Sequence, residues 1–315
     1  MSSVIRRTAR RLGAVAVAAV LLGGATSAQA VPATAGTAAT GTTAVTGTVT
    51  TPAVLDLALT HTGLTLPVTG HRPGWLTFRA TTADTSGHYL SILKLAPGVT
   101  VNDVNTLMGQ VTSADPAISV PAVQRLYRDV EFNGGISVQA GKPVSVSVNL
   151  ESGTYHVVES SASWTSGRPP YYAQTLEISG DRLTVRPPAH DAVLLAATLG
   201  GKPAFIAPSE VDHDPAYLVA NLTASPQEAI FRPVAPGTTD AAIQAYYDAE
   251  KAGAPLPSPF TGRAGGMLPI SPGKIAVVRF ENSAPGEYAV SSFTRDPQTA
   301  ERNAYNGMHR VIDQG

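Results

Sequence analysis

Residues 95–100 read Leu-Ala-Pro-Gly-Val-Thr, and residues 234–239 read Val-Ala-Pro-Gly-Thr-Thr, 139 positions later. A Pro-Gly pair is typical of a tight turn, because proline fixes one backbone angle and glycine accepts a positive φ. A helix-like stretch follows each copy of this motif. The two copies therefore indicate one unit of structure that is present twice.

Two further motifs recur in the same order. Gly-Gly followed by Gly-Lys is found within residues 134–142 and again within residues 265–274, and Gly-x-Tyr is found at residues 153–155 and 286–288. The offset falls from 139 to between 131 and 133, which a shorter helical insertion in the second copy explains. Three matches in one order predict a tandem repeat.

Short runs of alternating apolar and polar residues surround these motifs, which is the period of a half-buried strand. The clearest runs are residues 75–78, 89–93, 144–148 and 155–158. Three stretches break the alternation and are predicted as helical insertions: residues 101–108, residues 121–130, and residues 239–252. The last is predicted to open on a Thr/Asp cap.

The two copies meet at residues 186–188, Arg-Pro-Pro, where paired prolines end a strand-like run. We therefore predict a mainly β fold made of two tandem Greek-key β-sandwiches, residues 52–185 and residues 186–315, each with a helical insertion.

The N-terminal residues have the pattern of a secretory signal peptide. Residues 1–30 contain an apolar run at 12–22, an Ala-Gln-Ala cleavage site at 28–30, and four arginines but no acidic residue: Arg6, Arg7, Arg10 and Arg11. The run is shorter than the ~20 residues that cross a membrane. Residues 31–51, rich in Ala, Thr and Gly, are predicted to be a disordered spacer. We expect a secreted bacterial protein, extracellular or associated with the cell wall, without a transmembrane segment after cleavage.

Composition excludes several classes of function. Without the four leader arginines, 18 Lys and Arg stand against 23 Asp and Glu, a net charge of −5, which argues against nucleic-acid binding. The chain contains no cysteine, so disulfides, thiol catalysis and thiolate metal sites are excluded.

The order of the turn motifs resembles that of exported bacterial cupredoxin-like domains, the blue-copper type of sandwich with a helical excursion after a ligand-bearing strand. The resemblance covers most of residues 52–315 and supports the fold more than the function. It places His88 at the first copper-ligand position, and Met308 and His309 near the last ligand segment of the second copy. It also implies a cysteine ligand, and here residues 156–159 and 289–292 stand in its place.

The copper ligands are thus predicted to be largely lost, because a blue-copper centre needs a thiolate beside two histidines. In the second copy Gln227 stands where the first has His88, and we expect it to be hydrogen-bonded or exposed. A metal site without thiolate stays open as an alternative, and no cofactor is expected. Its candidate residues are His88, His156, Met308 and His309.

Three aromatic residues suggest a binding surface instead. Trp164, Tyr171 and Tyr172 lie in or beside a Gly- and Pro-rich loop, where exposed aromatics commonly anchor a protein or glycan partner. Packing of the same side chains against the core is an equal alternative.

We expect no enzyme, because no catalytic signature is present. The first hypothesis is an exported binding or envelope-structural protein with two metal-free cupredoxin-like domains. The second is a copper or zinc carrier that uses His and Met ligands. The third is a hydrolase without a recognisable signature, which would need a concave pocket with converging carboxylates.

Overall fold

The computed structural model describes residues 51–160, 171–254 and 256–315. The predicted signal peptide, nearly all of the predicted spacer, and Trp164 lie outside the described residues. Within them, no helix is both long enough and apolar enough to cross a membrane.

The first of two facing sheets has seven strands. In spatial order they are β1 (Ala53–Leu59), β3 (Gly74–Thr82), β6 (Val144–Leu150), β15 (Ile275–Phe280), β12 (Ala216–Asn221), β9 (Ala192–Leu199) and β10 (Lys202–Ile206). β1 pairs with β3 in parallel, and β9 pairs with β12 in parallel. The other neighbours in this sheet are antiparallel.

The second sheet has ten strands. In spatial order they are β11 (Glu210–Val211), β17 (His309–Gln314), β16 (Gly286–Ser291), β13 (Gln227–Pro233), β14 (Gly265–Ile270), β5 (Val130–Val138), β4 (His88–Leu95), β7 (Gly153–Glu159), β8 (Tyr172–Ile178) and β2 (Gly70–His71). The short outermost strands β2 and β11 pair in parallel with β8 and β17. The predicted mainly β sandwich is therefore confirmed.

Both sheets continue from the first half of the chain into the second. β6 pairs with β15 through Val146 and Val278, and β5 pairs with β14 through Ser137 and Gly266. The sequence predicts two sandwiches that divide near residue 186. In the structure the edge strands of the two halves pair with each other and form continuous sheets. Alternation tells which face of a strand is buried but not which edges meet, so this joining could not be predicted.

Apart from β10, which has no counterpart among the described strands of the first half, the strand order is the same when read outward from the junction in either direction. In the seven-stranded sheet β6-β3-β1 corresponds to β15-β12-β9, and in the ten-stranded sheet β5-β4-β7-β8-β2 corresponds to β14-β13-β16-β17-β11. Corresponding turns of the two halves have the same backbone conformation: φ is 80° at both Gly98 and Gly237. The phenol of Tyr155 donates to the carbonyl of Glu151, and that of Tyr288 donates to the carbonyl of Ala284.

The main core fills the space between the two sheets and includes residues of both halves, among them Phe78, Val146, Tyr217 and Val278, which are fully buried. Along β1 every second residue from Leu55 is buried, as the alternation predicts. We call the surface of the ten-stranded sheet that is turned away from this core its outer face.

Three helices lie in the predicted insertions: α1 (Val101–Val111), α2 (Pro116–Asp129) and α3 (Asp240–Lys251). The predicted Thr/Asp cap of the last is confirmed, since Thr239 accepts a hydrogen bond from the amide of Ala242. α2 begins five residues before the predicted stretch at residue 121, because Asp115 caps it at the amide of Ala117 and Pro121 lies inside the helix.

Candidate ligand-binding cavity

His88 lies at the start of β4 on the inner face and is buried, 2% exposed. Its Nδ1 is 3.0 Å from Oε1 of Glu159 at the end of β7, and its Nε2 is 2.8 Å from Oδ2 of Asp84. The hydrogen bond from His88 holds the pKa of Asp84 below its usual range. A carboxylate lies beside each ring nitrogen of His88, so neither nitrogen faces an open position.

The other predicted metal ligands do not meet His88. On β7 the neighbours Tyr155 and Val157 point into the main core, so His156 between them points to the outer face, away from His88. Met308 is buried in the main core. His309 follows it, and its Nε2 is hydrogen-bonded to Oε1 of Gln244 on α3 at 2.9 Å.

Burial lowers the pKa of His309, and its Nδ1 is buried without a hydrogen-bond partner among the described residues. In the parts of the chain that the structure describes, no three His, Asp or Glu side chains form a group that could hold a metal ion. The residues at the ligand positions therefore do not fit a blue-copper centre, whose thiolate the chain lacks altogether.

Gln227 occupies the position in β13 that His88 occupies in β4, three residues before the residue paired with the second glycine of the Gly-Gly motif. It is buried, and its Oε1 accepts from the hydroxyls of Ser292 (2.8 Å) and Thr294 (3.1 Å) and from the amide of Asn303 (3.3 Å). The expectation that Gln227 is hydrogen-bonded is confirmed. A neutral amide network replaces the His88 and Glu159 contact.

A cavity of about 420 Å³ lies on the outer face near the junction of the two halves. The floor is formed by strands of both halves, from β7 to β13. Helices α1 and α2 form one wall, and the loop of residues 293–302 forms the other. Such a volume lies within the ~300 to 1,000 Å³ range of sites for small molecules.

Most of the lining is apolar or aromatic. Val104 and Met108 of α1, Phe132 of β5, Val158 of β7 and Leu268 of β14 contribute aliphatic and aromatic surface. Their side chains are buried or half-buried although the space beside them is open. The cavity is therefore suited to an apolar molecule.

Hydrogen bonds between α2 and the loop hold the two walls together, and one of them runs from Nε2 of Gln124 to the carbonyl of Pro297 at 2.9 Å. The phenol of Tyr127 on α2 donates to the carbonyl of Arg295 at 2.9 Å and accepts from the amide of the same residue at 2.9 Å. Burial raises the pKa of Tyr127 far above its usual range, so the phenol stays neutral. Tyr127 and Arg295 are 168 positions apart in sequence, and the two hydrogen bonds between them fix the distance between the two walls.

Charged side chains form one end of the cavity. Glu228, Ile230 and Arg232 of β13 alternate with the core residues Ala229 and Phe231 and thus point to the outer face. Oε1 of Glu228 accepts from the amide of Phe293 at 2.8 Å, and burial raises the pKa of this carboxyl to about 7.

Two further arginines, Arg295 and Arg302, line the same end. Among the described lining residues Glu228 alone carries a carboxylate, so the cavity does not hold the converging carboxylates that the hydrolase hypothesis needs.

The corresponding place in the second half is filled. Thr100 and Thr239 cap α1 and α3, so the eighth helical residue is Met108 in the first half and Tyr247 in the second. The ring of Tyr247 is 1% exposed and lies 5.7 to 6.2 Å from the rings of Phe260, Phe293 and Tyr305. The first half leaves open the space that the second half packs with aromatic rings.

The aromatic residues proposed as anchors have separate positions. Tyr171 lines the cavity, and its phenol donates to Oδ1 of Asn102 at 3.4 Å. Tyr172, the next residue, packs against the main core. Among the sequence candidates that lie in the described residues, Tyr171 is thus the one at the cavity.

Sequence reasoning missed the charged end of the cavity. The available signal was the alternation in β13, where Glu228 and Arg232 stand at outward positions beside apolar Ile230. Nothing local indicated that Arg295 and Arg302, some 60 to 70 residues away, would lie opposite.

No family model matches the chain, and no curated protein matches it. Solved structures to which it is similar include a multicopper oxidase (13% identity, 83% of this chain and 88% of that chain, TM-score 0.23). Auracyanin A, a blue copper protein from Chloroflexus aurantiacus, is 14% identical over 41% of this chain and 99% of its own, with a TM-score of 0.28. Copper nitrite reductase from Nitrosomonas europaea is 12% identical over 84% of this chain and 94% of its own, with a TM-score of 0.24.

The strand order, the register and the helical insertions define the fold here, a mainly β sandwich of two sheets.

Proposed function

We propose that this protein is an exported, non-enzymatic binding protein that holds a small, mainly apolar ligand in the cavity of its first half. The observation that carries the proposal is the contrast between the halves. An open space of about 420 Å³ lies beside Met108, where the second half has the tightly packed ring of Tyr247. Protein interiors are normally close-packed, so an apolar space of this size has a stability cost that binding would justify.

The shape of the site supports the proposal because it is formed in advance. The Tyr127 contacts to Arg295 fix one wall to the other. The Thr100 side chain and Asp103 form a capping box at the start of α1, with Asp103 Oδ2 accepting from the Thr100 amide at 2.9 Å. A preformed site binds without the entropic cost of ordering its walls.

We further infer that the two halves arose by tandem duplication of one sandwich and that the first half retained or gained the open site. The matched strand orders and the equal φ of Gly98 and Gly237 support this inference. Superposition of residues 52–185 on residues 186–315 is the corresponding check, and Gly135 should then fall on Gly266, and Tyr155 on Tyr288.

The test is a fluorescence titration with N-phenyl-1-naphthylamine, an uncharged aromatic probe whose emission rises in apolar surroundings. Wild-type protein is expected to bind one probe molecule per chain. Met108→Trp places a ring where Tyr247 has one in the second half, and it should weaken binding at least about 10-fold, because the probe loses its space.

Ile118→Trp is the matched control, since Ile118 is exposed on α2, and it should leave the affinity unchanged. Far-UV circular dichroism verifies that both variants fold. Absence of saturable binding to the wild type, or equal binding by Met108→Trp, would contradict the proposal.

A further inference from the structure

The charged end of the cavity has an excess of positive charge. Three guanidinium groups, those of Arg232, Arg295 and Arg302, line it together with the single carboxylate of Glu228. A ligand with a positive group would meet three like charges at this end. A ligand with a negative group would meet one.

Two of the three arginines are engaged within the protein. Nη1 of Arg295 donates to the carbonyl of Ala300 at 2.6 Å. Nη1 of Arg302 donates to the phenol of Tyr305 at 3.2 Å and lies 3.8 Å from Oε1 of Glu250. These contacts hold the two side chains at the rim of the cavity and use part of their hydrogen-bonding capacity.

Arg232 is different. Its Nε is buried and has no hydrogen-bond partner among the described residues, and no ion pair to it is found there. Its Cζ lies 3.9 Å above the ring of Phe260, which supports the flat guanidinium from one side. The same side chain lines the cavity, and an anionic oxygen is the acceptor that a guanidinium binds best.

We propose, on the basis of the proposed function, that the ligand is an apolar molecule with one anionic group, a carboxylate or sulfonate, and that Arg232 binds this group. The apolar body then lies along Met108 and Val104 of α1. A second anionic group on the ligand would approach the carboxylate of Glu228. The cavity therefore selects ligands that carry a single negative charge.

The experiment compares two probes with the same aromatic body. 1-Anilinonaphthalene-8-sulfonate carries a sulfonate, and N-phenyl-1-naphthylamine carries none. Dissociation constants of both are measured for the wild type and for Arg232→Gln by titration calorimetry, with Arg279→Gln as a matched control on the other sheet. The wild type and the control should bind the sulfonate at least about 10-fold more tightly than the uncharged probe, and Arg232→Gln should lose that preference.

A second variant keeps Arg232 and removes the opposing charge. At pH 8, where Glu228 is ionised, Glu228→Gln should raise the preference for the sulfonate over the uncharged probe above that of the wild type, so the test stands even where Arg232→Gln does not fold. An unchanged ratio of the two constants in this variant would contradict the position given to the anionic group.

The outcomes separate the two proposals. Saturable binding of both probes with equal affinity overturns the ligand class and leaves the binding function intact. A preference for the sulfonate that survives Arg232→Gln overturns the assignment to Arg232. Failure of both probes to bind the wild type overturns both proposals.

Discussion

Glu228 is the residue whose environment departs most from that of a surface carboxylate. Its strand puts it on the outer face, where α2 and the loop of residues 293–302 remove it from water. It receives one amide hydrogen bond, from Phe293, and the charge of Arg302 gives partial compensation. These do not offset the loss of hydration, so the pKa rises.

The raised pKa predicts a specific dependence of stability on pH. Since the folded-state pKa of about 7 exceeds the usual glutamate value of 4.5, the folded protein binds the proton more tightly than the unfolded chain does. The contribution of Glu228 to stability is complete below pH 4.5 and is lost as the pH rises through 7. Well above pH 7 the ionised group lowers the free energy of unfolding by about 3 kcal/mol relative to a neutral group.

Glu228→Gln removes this titration, so the variant should gain stability relative to the wild type progressively from pH 4.5 to pH 8. Urea unfolding at a series of pH values measures the difference. The control is Glu210→Gln, an exposed carboxyl on β11, for which the difference should not vary with pH. A constant difference for Glu228→Gln as well would show that folding does not raise the pKa of this carboxyl.

At the scale of elements, the pairing of β6 with β15 and of β5 with β14 makes each half depend on the other. Both pairs are antiparallel and central in their sheets. If one half were absent, two strand edges with unpaired amides and carbonyls would face solvent. Exposed edges of this kind lead to association.

Residues 52–185 expressed alone are therefore expected to dimerise or aggregate instead of forming a stable monomer. The chain of residues 52–315 should remain monomeric and unfold in one transition at the same concentration. Light scattering after size-exclusion chromatography and urea unfolding measure both properties. A monomeric fragment with a cooperative transition would mean that the shared sheets contribute little to stability.

The elements were predictable wherever a local chemical rule governs them. The strand alternation, the Pro-Gly turns at Gly98 and Gly237 and the cap at Thr239 each depend on neighbours a few positions away. The start of α2 was predicted at residue 121, whereas Asp115 supplies the cap and the helix begins at Pro116.

Such local rules could not predict the cavity, because the residues that line it are distant in sequence. Tyr127 and Arg295 meet across 168 positions, and Glu228 reaches the same space from a third segment. The alternation of β13 gives the direction of Glu228, but what covers that face depends on the packing of α1 and α2. Whether the candidate metal residues meet depends on packing in the same way: His88 and His156 lie on opposite faces of one sheet.

At the scale of the whole molecule, export is the prediction that the N-terminal sequence carries. Expressed with residues 1–30 in a bacterial host that secretes proteins, the chain should appear in the medium with its first residue at Val31. Intact-mass measurement identifies the cleavage site. Replacing the four leader arginines with glutamine is the control and should retain the protein inside the cell, because the positive region orients the leader. A secreted protein of full-length mass would contradict the assignment.

The interiors of the two halves differ in how closely their side chains are packed. The aromatic rings around Tyr247 pack densely in the second half, whereas the space beside Met108 in the first half is open. Because the sheets are continuous, the stability of the packed half extends to its neighbour. Under the proposed function, sequence drift at Met108, Val104 and Arg232 can then change the ligand, while the packed second half keeps the scaffold intact.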